Sequence, residues 1–274
     1  IRLLRHHKPY KFMHRQFDTG HSMPRADQVI VEQGKAASRA LAQKLIKAGV
    51  VEYRLGSAWL AVSKASQKLP TGSELRIAPS EVTRFVSRGG LKLQGALAHT
   101  GVNLAQKSVL DVGQSTGGFS DCAAQAGARC VIGIDSGHDQ LHDSLTNHPD
   151  IVCLERINAR NLPAQQLLDH NQNCPFEAVI MDLSFISQTK VLASVATVMA
   201  SGADMLALVK PQFELDREHI GKGGLVKDAA SYAAVESRIR ANYIDNGFNV
   251  IDYFDSPIAG GDGNREFFIY ARRQ

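Results

Sequence analysis

Beyond residue 100 the hydrophobic positions fall into short continuous runs. Segments 108–112, 130–135, 151–154, 178–182, 204–209, 249–254 and 267–270 are apolar or β-branched and of strand length. Continuous rather than alternating apolar character marks strands covered on both faces. Between them lie stretches with helical character, 119–125, 186–200 and 229–246. This alternation predicts an α/β fold of the Rossmann-like class, with a seven-stranded, mostly parallel sheet and a ligand at the carboxyl ends of its strands.

The front of the chain is patterned differently. Val29, Ile30 and Val31 occupy one turn before Gly34, a natural helix stop. Ser38 is placed to cap a second helix, with Leu41, Leu45 and Ala48 on one face and Arg39, Gln43 and Lys47 on the other. Short β-rich pieces at 50–53, 59–62 and 75–77 follow, separated by Gly56, Pro70 and Gly72. Residues 23–78 therefore read as a small α+β domain. Pro79 breaks the last strand and little periodicity survives over 79–88, which reads as a linker to a second domain over 89–274. Residues 1–22 have scattered bases and no apolar core. They read as an N-terminal extension, native or added, with Met23 the expected start of the folded chain.

Charge sharpens the division. The net charge of +4 says little, but the first 78 residues carry fourteen Lys/Arg against five acids and the remaining 196 carry seventeen against twenty-two. A basic module joined to an acidic body suits a protein that acts on nucleic acid, because phosphate contacts supply sequence-independent affinity. The four cysteines, Cys122, Cys130, Cys153 and Cys174, lack CxxC or Cys/His metal spacing. They are expected to be reduced and mostly buried, and no metal is expected. No apolar run approaches the roughly 20 residues that span a bilayer, so a cytoplasmic protein without a membrane partner is expected.

The chemistry sits in the second half. DVGQSTGGFSD, residues 111–121, is a strand end running into a glycine-rich turn and a helix. Asp111, Gly113, Ser115, Thr116, Gly117, Gly118 and Phe119 are its candidate cofactor contacts. Asp135 ends the next strand, where an acid binds ribose hydroxyls, and Asn158 follows the third strand, placed to face an adenine. The GxxxGG spacing, with no basic group at the helix start for a pyrophosphate, favours S-adenosylmethionine over a dinucleotide. Asp111 is then expected to serve the methionine end, directly or through water.

Four charged residues stand in otherwise apolar or glycine-rich segments: Lys92 in SRGGLKL, Asp182 in VIMDLSF, Lys210 in LVKPQFE and Glu266 in GNREFF. DLSF lacks the paired prolines that hold an exocyclic amine, and Cys174 precedes its strand where a C5-pyrimidine methylase needs a following nucleophile. A lysine-rich site remains, suited to oxygen methylation, since a ribose hydroxyl needs alignment for in-line attack and late removal of its proton.

In order and context these four residues resemble the Lys-Asp-Lys-Glu tetrad of FtsJ-like ribose 2′-O-methyltransferases. The run RADQVIVEQGKAASRALAQKLIKAGVVEYRLG resembles the S4 RNA-binding domain. Together with DVGxSTGGF, GIDxGxxQL, ERxNARNL, MDLSFIS, LVKPQFE and GKGG, the likeness extends over residues 24–272 to the TlyA family, often labelled hemolysin. At Gln114, Ser136, His138 and Ile157 the chain departs from that family's pattern. The resemblance implies 2′-O-methylation of cytidine in ribosomal RNA of one or both subunits. It implies RNA recruitment by an S4 domain through Arg25, Arg39, Lys44 and Lys47. It also implies Lys210 as the base or orienting group, tuned by Asp182 and Glu266, with Lys92 holding substrate or depressing the pKa of its neighbour. A monomer suffices for this work. The long polar connection 211–228, with Lys222 and Lys227, is expected to help hold RNA. The alternatives are a non-catalytic RNA-binding or ribosome-assembly factor and, from the family label, a membrane-lytic protein.

Overall fold

A computed structural model describes residues 23–36, 38–80, 83–261 and 263–274. The expectation of an N-terminal extension over 1–22 falls outside the described residues. The chain divides between residues 80 and 81 into two compact units.

In the first unit, helices α1 (Ala26–Glu32) and α2 (Arg39–Lys47) precede strands β1 (Val51–Leu55), β2 (Ala58–Ala61) and β3 (Leu75–Ile77). The strands form an antiparallel sheet in the order β2-β1-β3. Its core joins Ile30, Leu45, Ile46, Val51, Leu69 and Leu75. Ser38 caps α2 by accepting from the Leu41 N–H at 3.2 Å. The buried stripe of α2 is Ala42, Leu45 and Ile46, while Ala48 is exposed. This rotates the packing face by about one position from the pattern expected of Leu41, Leu45 and Ala48.

The second unit carries β4 (Ser108–Val112), β5 (Cys130–Ile134), β6 (Ile151–Leu154), β7 (Phe176–Met181), β8 (Met199–Val209), β9 (Phe248–Asp255) and β10 (Phe267–Arg273). They form one sheet in the order β6-β5-β4-β7-β8-β10-β9, parallel except for β10, which runs antiparallel to both neighbours. The two faces are covered separately. Helices α3 (Arg88–Thr100) and α4 (Gly118–Gln125) bury Leu93, Ala96, Phe119 and Ala123 against Val109, Val131 and Phe268. On the other face α6 (Ala164–His170), α7 (Leu192–Ala196) and α9 (Ser231–Asp245) bury Leu167, Val195 and Tyr243 against Leu110, Ile132 and Val179. Between β6 and β7 runs only α6, and α5 (Asp143–Thr146) is a single turn before β6.

Three expectations need correction. Segment 186–200 is not one helix. It holds a 3₁₀ turn (Gln188–Lys190) and α7, and then β8 begins at Met199. The segment 79–88 is not free throughout, since Phe85 is buried beneath Gly90 and the Val86 N–H donates to Asp121 Oδ2 at 2.8 Å. The cysteines are free thiols, but of the four only Cys122 is buried and Cys174 is exposed.

One buried acid organises the first unit. Asp27 has no solvent exposure, and Arg25 Nε, Arg39 Nη2 and Gln43 Nε2 donate to its carboxylate at 2.9, 2.9 and 3.0 Å. The Arg25 hydrogen bond, aided by those from Gln43 and Arg39, holds the carboxyl far below its usual range despite burial. A depressed folded-state pKa stabilises above the unfolded value of about 3.9 and loses that contribution as pH falls through and below it. Replacing Asp27 by Asn is expected to cost the first unit about 1–3 kcal/mol. It should also flatten the loss of stability between neutral and acid pH. Urea unfolding followed by Trp59, the sole tryptophan and a residue of β2, reads this unit alone.

Candidate active site

Strand β4 is flanked by β5 on one side and β7 on the other, so the chain reverses its winding direction between β4 and β7. A crevice at the carboxyl ends of these strands is the consequence. The Asp182 N–H donates to the Val112 carbonyl at 3.0 Å, bringing the β7 exit against the glycine loop. Gly113 makes that approach possible: its φ is +89°, and a Cβ there would lie 2.6 Å from the Asp182 carbonyl oxygen.

Two cavities of about 270 and 430 Å³ share Gly113, Ser115, Asp182 and Ser184 and form one groove. The larger is lined by Ile134, Asp135, Ile157 and Asn158, giving apolar walls and two polar groups. Asp135 accepts the Ser115 N–H at 2.8 Å on one oxygen and the Gly137 N–H at 2.7 Å on the other. That pins the carboxylate while each oxygen retains acceptor capacity for a diol. The smaller cavity is lined by Gly113, Ser115, Thr116, Gly118, Phe119, Lys92, Asp182 and Lys210.

Not every predicted cofactor residue reaches the groove. Gly117 lines neither cavity; its open side faces Leu141 and Leu145. Gly118 is needed for helix packing, because a Cβ there would strike Ser87 Oγ and lie 3.1 Å from the Gly90 nitrogen. Asp111 lies on the same face of β4 as Val109 and is fully buried below the loop. Its Oδ2 accepts from Ser120 Oγ at 2.6 Å, and Ser120 in turn accepts from Gln114 Nε2 at 2.8 Å. Burial pushes the Asp111 carboxyl up to about 7, against the lowering effect of Ser120. Gln114, not Asp111, is the member of this chain that lines the groove.

The four charged residues come together as two pairs. Lys92 Nζ donates to Glu266 Oε2 at 2.5 Å, and both side chains are almost wholly buried. Burial raises the Glu266 pKa, with the Lys92 hydrogen bond opposing it. Lys210 Nζ stands 2.6 Å from Asp182 Oδ1 in a charge contact without hydrogen-bond alignment, and its directed hydrogen bond goes to Ser184 Oγ at 3.0 Å. Lys92, Lys210 and Asp182 line the groove, whereas Glu266 stands behind Lys92.

Residues that sequence reasoning missed include Ser87, Arg88 and Gly89 at the start of α3, and Ser184 and Phe185 after β7. Phe185 is 90% exposed, has φ +64° and lies 5.0 Å from Phe213. Large non-glycine residues rarely hold such a backbone, which is found in turns and at binding sites. The one signal for Ser184 and Phe185 is their place in DLSF, directly after the suspect Asp182.

In the first unit Lys44 and Lys47 are exposed, while Arg25 and Arg39 are engaged with Asp27 and only partly free for phosphate. Segment 211–228 is folded on itself: Ile220 bridges Val226, and Lys227 Nζ donates to the Glu218 carbonyl at 2.8 Å. Asn264 ties it down, accepting from the Val226 N–H at 3.1 Å and donating to the Gly224 carbonyl at 2.9 Å, two residues before Glu266.

Known proteins resemble the chain over most of its length. Residues 85–273 match the model of the FtsJ-like methyltransferase family. The chain is 39% identical to "Putative rRNA methyltransferase YqxC" of Bacillus subtilis, over 90% of this chain and 84% of that protein. It is 36% identical to the 16S/23S rRNA (cytidine-2′-O)-methyltransferase TlyA of Mycobacterium tuberculosis, over 91% and 90% respectively. Among solved structures, a "Putative hemolysin" from Streptococcus thermophilus superposes with a TM-score of 0.69 at 33% identity, covering 92% of this chain and 89% of that one. The chain belongs to the FtsJ-like methyltransferases and, within them, to the TlyA family.

Proposed function

We propose that this protein methylates the 2′ hydroxyl of a cytidine ribose in ribosomal RNA, using S-adenosylmethionine, as a cytoplasmic monomer. Residues 23–78 act as an S4-type RNA-binding domain, 79–88 as the connection and 89–274 as the catalytic domain. The observation that carries the reading is the convergence of Lys92, Asp182 and Lys210 on one groove at the β4/β7 switch point, with Glu266 holding Lys92 from behind. The relative in M. tuberculosis bears the name of this activity on 16S and 23S rRNA. Among the described residues no helix is long and apolar enough to cross a membrane.

Bound in the groove, S-adenosylmethionine would supply a methyl group on a sulfonium centre. Asp135 and Asn158 would hold its nucleoside, with Gly113, Ser115, Thr116 and Phe119 along the rest of the groove. Lys210, flanked by Asp182 and Ser184, orients the attacking hydroxyl and, as the neutral amine, takes its proton late in the transfer. Lys92 is held by Glu266 and presents a fixed positive group beside the reacting oxygen. Phe185 offers an exposed ring at the mouth of the groove, on which a base can stack.

Incubation with methyl-labelled S-adenosylmethionine and isolated small and large ribosomal subunits, followed by digestion to nucleosides, is expected to place label in 2′-O-methylcytidine. Lys210→Ala should lower turnover by about 10²-fold or more while cofactor affinity is kept. Absence of label on both subunits, with cofactor binding measured, would shift the reading to a non-catalytic RNA-binding factor.

Glu266 must be ionised to hold Lys92. Its raised pKa therefore places the acid limb of the rate profile above the ordinary glutamate range of about 4.3, with activity falling as pH drops through it. Glu266→Gln should lower turnover and abolish that limb, as measured by single-turnover rates against pH.

The Lys44→Ala/Lys47→Ala double variant should weaken RNA binding and reduce the slope of log affinity against log salt by about 1–2, with turnover at saturating RNA unchanged. Filter binding at a series of salt concentrations measures this.

A further inference from the structure

Two of the tetrad's residues, Asp182 and Lys210, arrive on separate strand exits. Asp182 follows β7 and leads through Leu183–Ser187 into the 3₁₀ turn Gln188–Lys190, while Lys210 follows β8 and leads into the short helix α8 (Pro211–Glu214). Neither β7 nor β8 fixes the spacing between these exits beyond its last paired residue. Beyond the Lys210 contacts in the groove, a buried carboxylate also joins them. Glu214, 6% exposed, accepts the Ser187 hydroxyl at 2.5 Å on Oε2 and the Gln188 N–H at 2.9 Å on Oε1.

The joint is anchored on both sides. Ser187 Oγ also caps its 3₁₀ turn by accepting the Thr189 N–H at 3.2 Å. Gln188, itself buried, accepts from the Tyr243 hydroxyl of α9 at 2.7 Å. Arg238, also on α9, donates to the Glu214 main-chain carbonyl, and its guanidinium stands 3.8 Å from Oε2. Within α8 the Phe213 N–H donates to the Lys210 carbonyl at 2.9 Å, so the helix that carries Glu214 also fixes the backbone of Lys210. Across the same seam Phe185 packs on Phe213, and Lys210 Nζ meets Asp182 and Ser184.

A carboxylate buried this deeply is costly unless its acceptor sites are filled. Here burial raises the Glu214 pKa, against the Ser187 and Gln188 hydrogen bonds. A leucine or phenylalanine would fill the space but leave the buried Gln188 N–H without its acceptor, so the acid is held there by its hydrogen bonds and not by packing alone. We infer that Glu214 is a positioning residue for methyl transfer, a clamp that sets the Asp182–Lys210 spacing and the Phe185 ring by tying the β7 exit to α8. The inference rests on the functional reading above and deepens it: Glu214 touches neither cofactor nor substrate and acts through Asp182, Lys210 and Phe185.

The test uses the full-length protein with Glu214→Ala, Glu214→Gln and Ser187→Ala. Single-turnover methylation of ribosomal subunits, titration with S-adenosylmethionine alone, and hydrogen exchange over 182–188 and 210–215 are measured on each. Glu214→Ala should lower kcat by about 10- to 100-fold, with cofactor affinity held within about threefold, and should raise exchange in both segments together. Glu214→Gln keeps an acceptor for the Gln188 N–H and lets the Ser187 hydroxyl accept instead of donate, so it should restore most of the rate. Ser187→Ala should give a smaller loss that is less than additive with Glu214→Ala, as expected of partners in one contact. Normal kcat in Glu214→Ala despite raised exchange would overturn the inference, and so would a Glu214→Gln variant as slow as Glu214→Ala. If the wild-type chain transfers no methyl to either subunit, the functional reading fails on its own. The exchange data then still decide the clamp: unchanged protection of 182–188 in Glu214→Ala removes it.

Discussion

The catalytic unit depends on one buried ion pair. Lys92 and Glu266 lie far apart in sequence, on α3 and at the entrance to β10, and meet at 2.5 Å with little solvent around either. Each alone would be an uncompensated charge in the interior, worth several kcal/mol of penalty. The pair therefore requires that α3 be seated against α4 and that β10 be inserted antiparallel between β8 and β9 before either charge is tolerable. Such a pair is weak evidence for stability. What it provides is specification, since only the fully assembled sheet and its covering helix satisfy both ends.

The second pair is built differently. Asp182 and Lys210 stand at neighbouring strand exits, partly exposed, on the groove side of the sheet. A group that must exchange a proton with substrate needs access and some freedom, which the Lys92–Glu266 pair lacks. On the proposed reading, the two pairs divide the work between a buried charge at the back and a more accessible one at the front. The parallel sheet makes this division possible because its switch point puts the exits of β4 and β7 side by side, with Gly113 packed against the Asp182 carbonyl.

How much of this is legible in the sequence follows from which forces are local. The strands can be read because burial on both faces leaves continuous apolar runs, and their boundaries move by only a few residues. Met199 to Ala203 does not read as strand, since Ser201 and Gly202 carry no strand signal; of these residues only Met199 pairs with β7, and the register shifts before Asp204. Helix α3 is hidden because SRGGLKLQG is glycine-rich, and those glycines serve close contacts with Phe85 and Pro257 that only the folded chain supplies. The burial of Asp111 follows from strand alternation, which puts it on the face of Val109, towards α4 and away from the groove. The engagement of Arg25 and Arg39 by Asp27 depends on the pairing of two helices and has no short-range signature.

That last point bears on how RNA affinity and catalysis are shared. The four bases expected to meet RNA are of two kinds: Arg25 and Arg39 complete the Asp27 network and hold α1 to α2, while Lys44 and Lys47 are exposed on α2. Only the second kind offers its full charge to phosphate. Affinity gained there is felt equally by bound substrate and transition state, so it lowers KM without raising kcat. Any acceleration must come from interactions that strengthen as the hydroxyl is deprotonated and attacks, and on the proposed reading those lie in the groove at the β4/β7 switch point. A basic module could thus be exchanged or weakened with little effect on the chemical step, whereas the spacing of two strand exits could not.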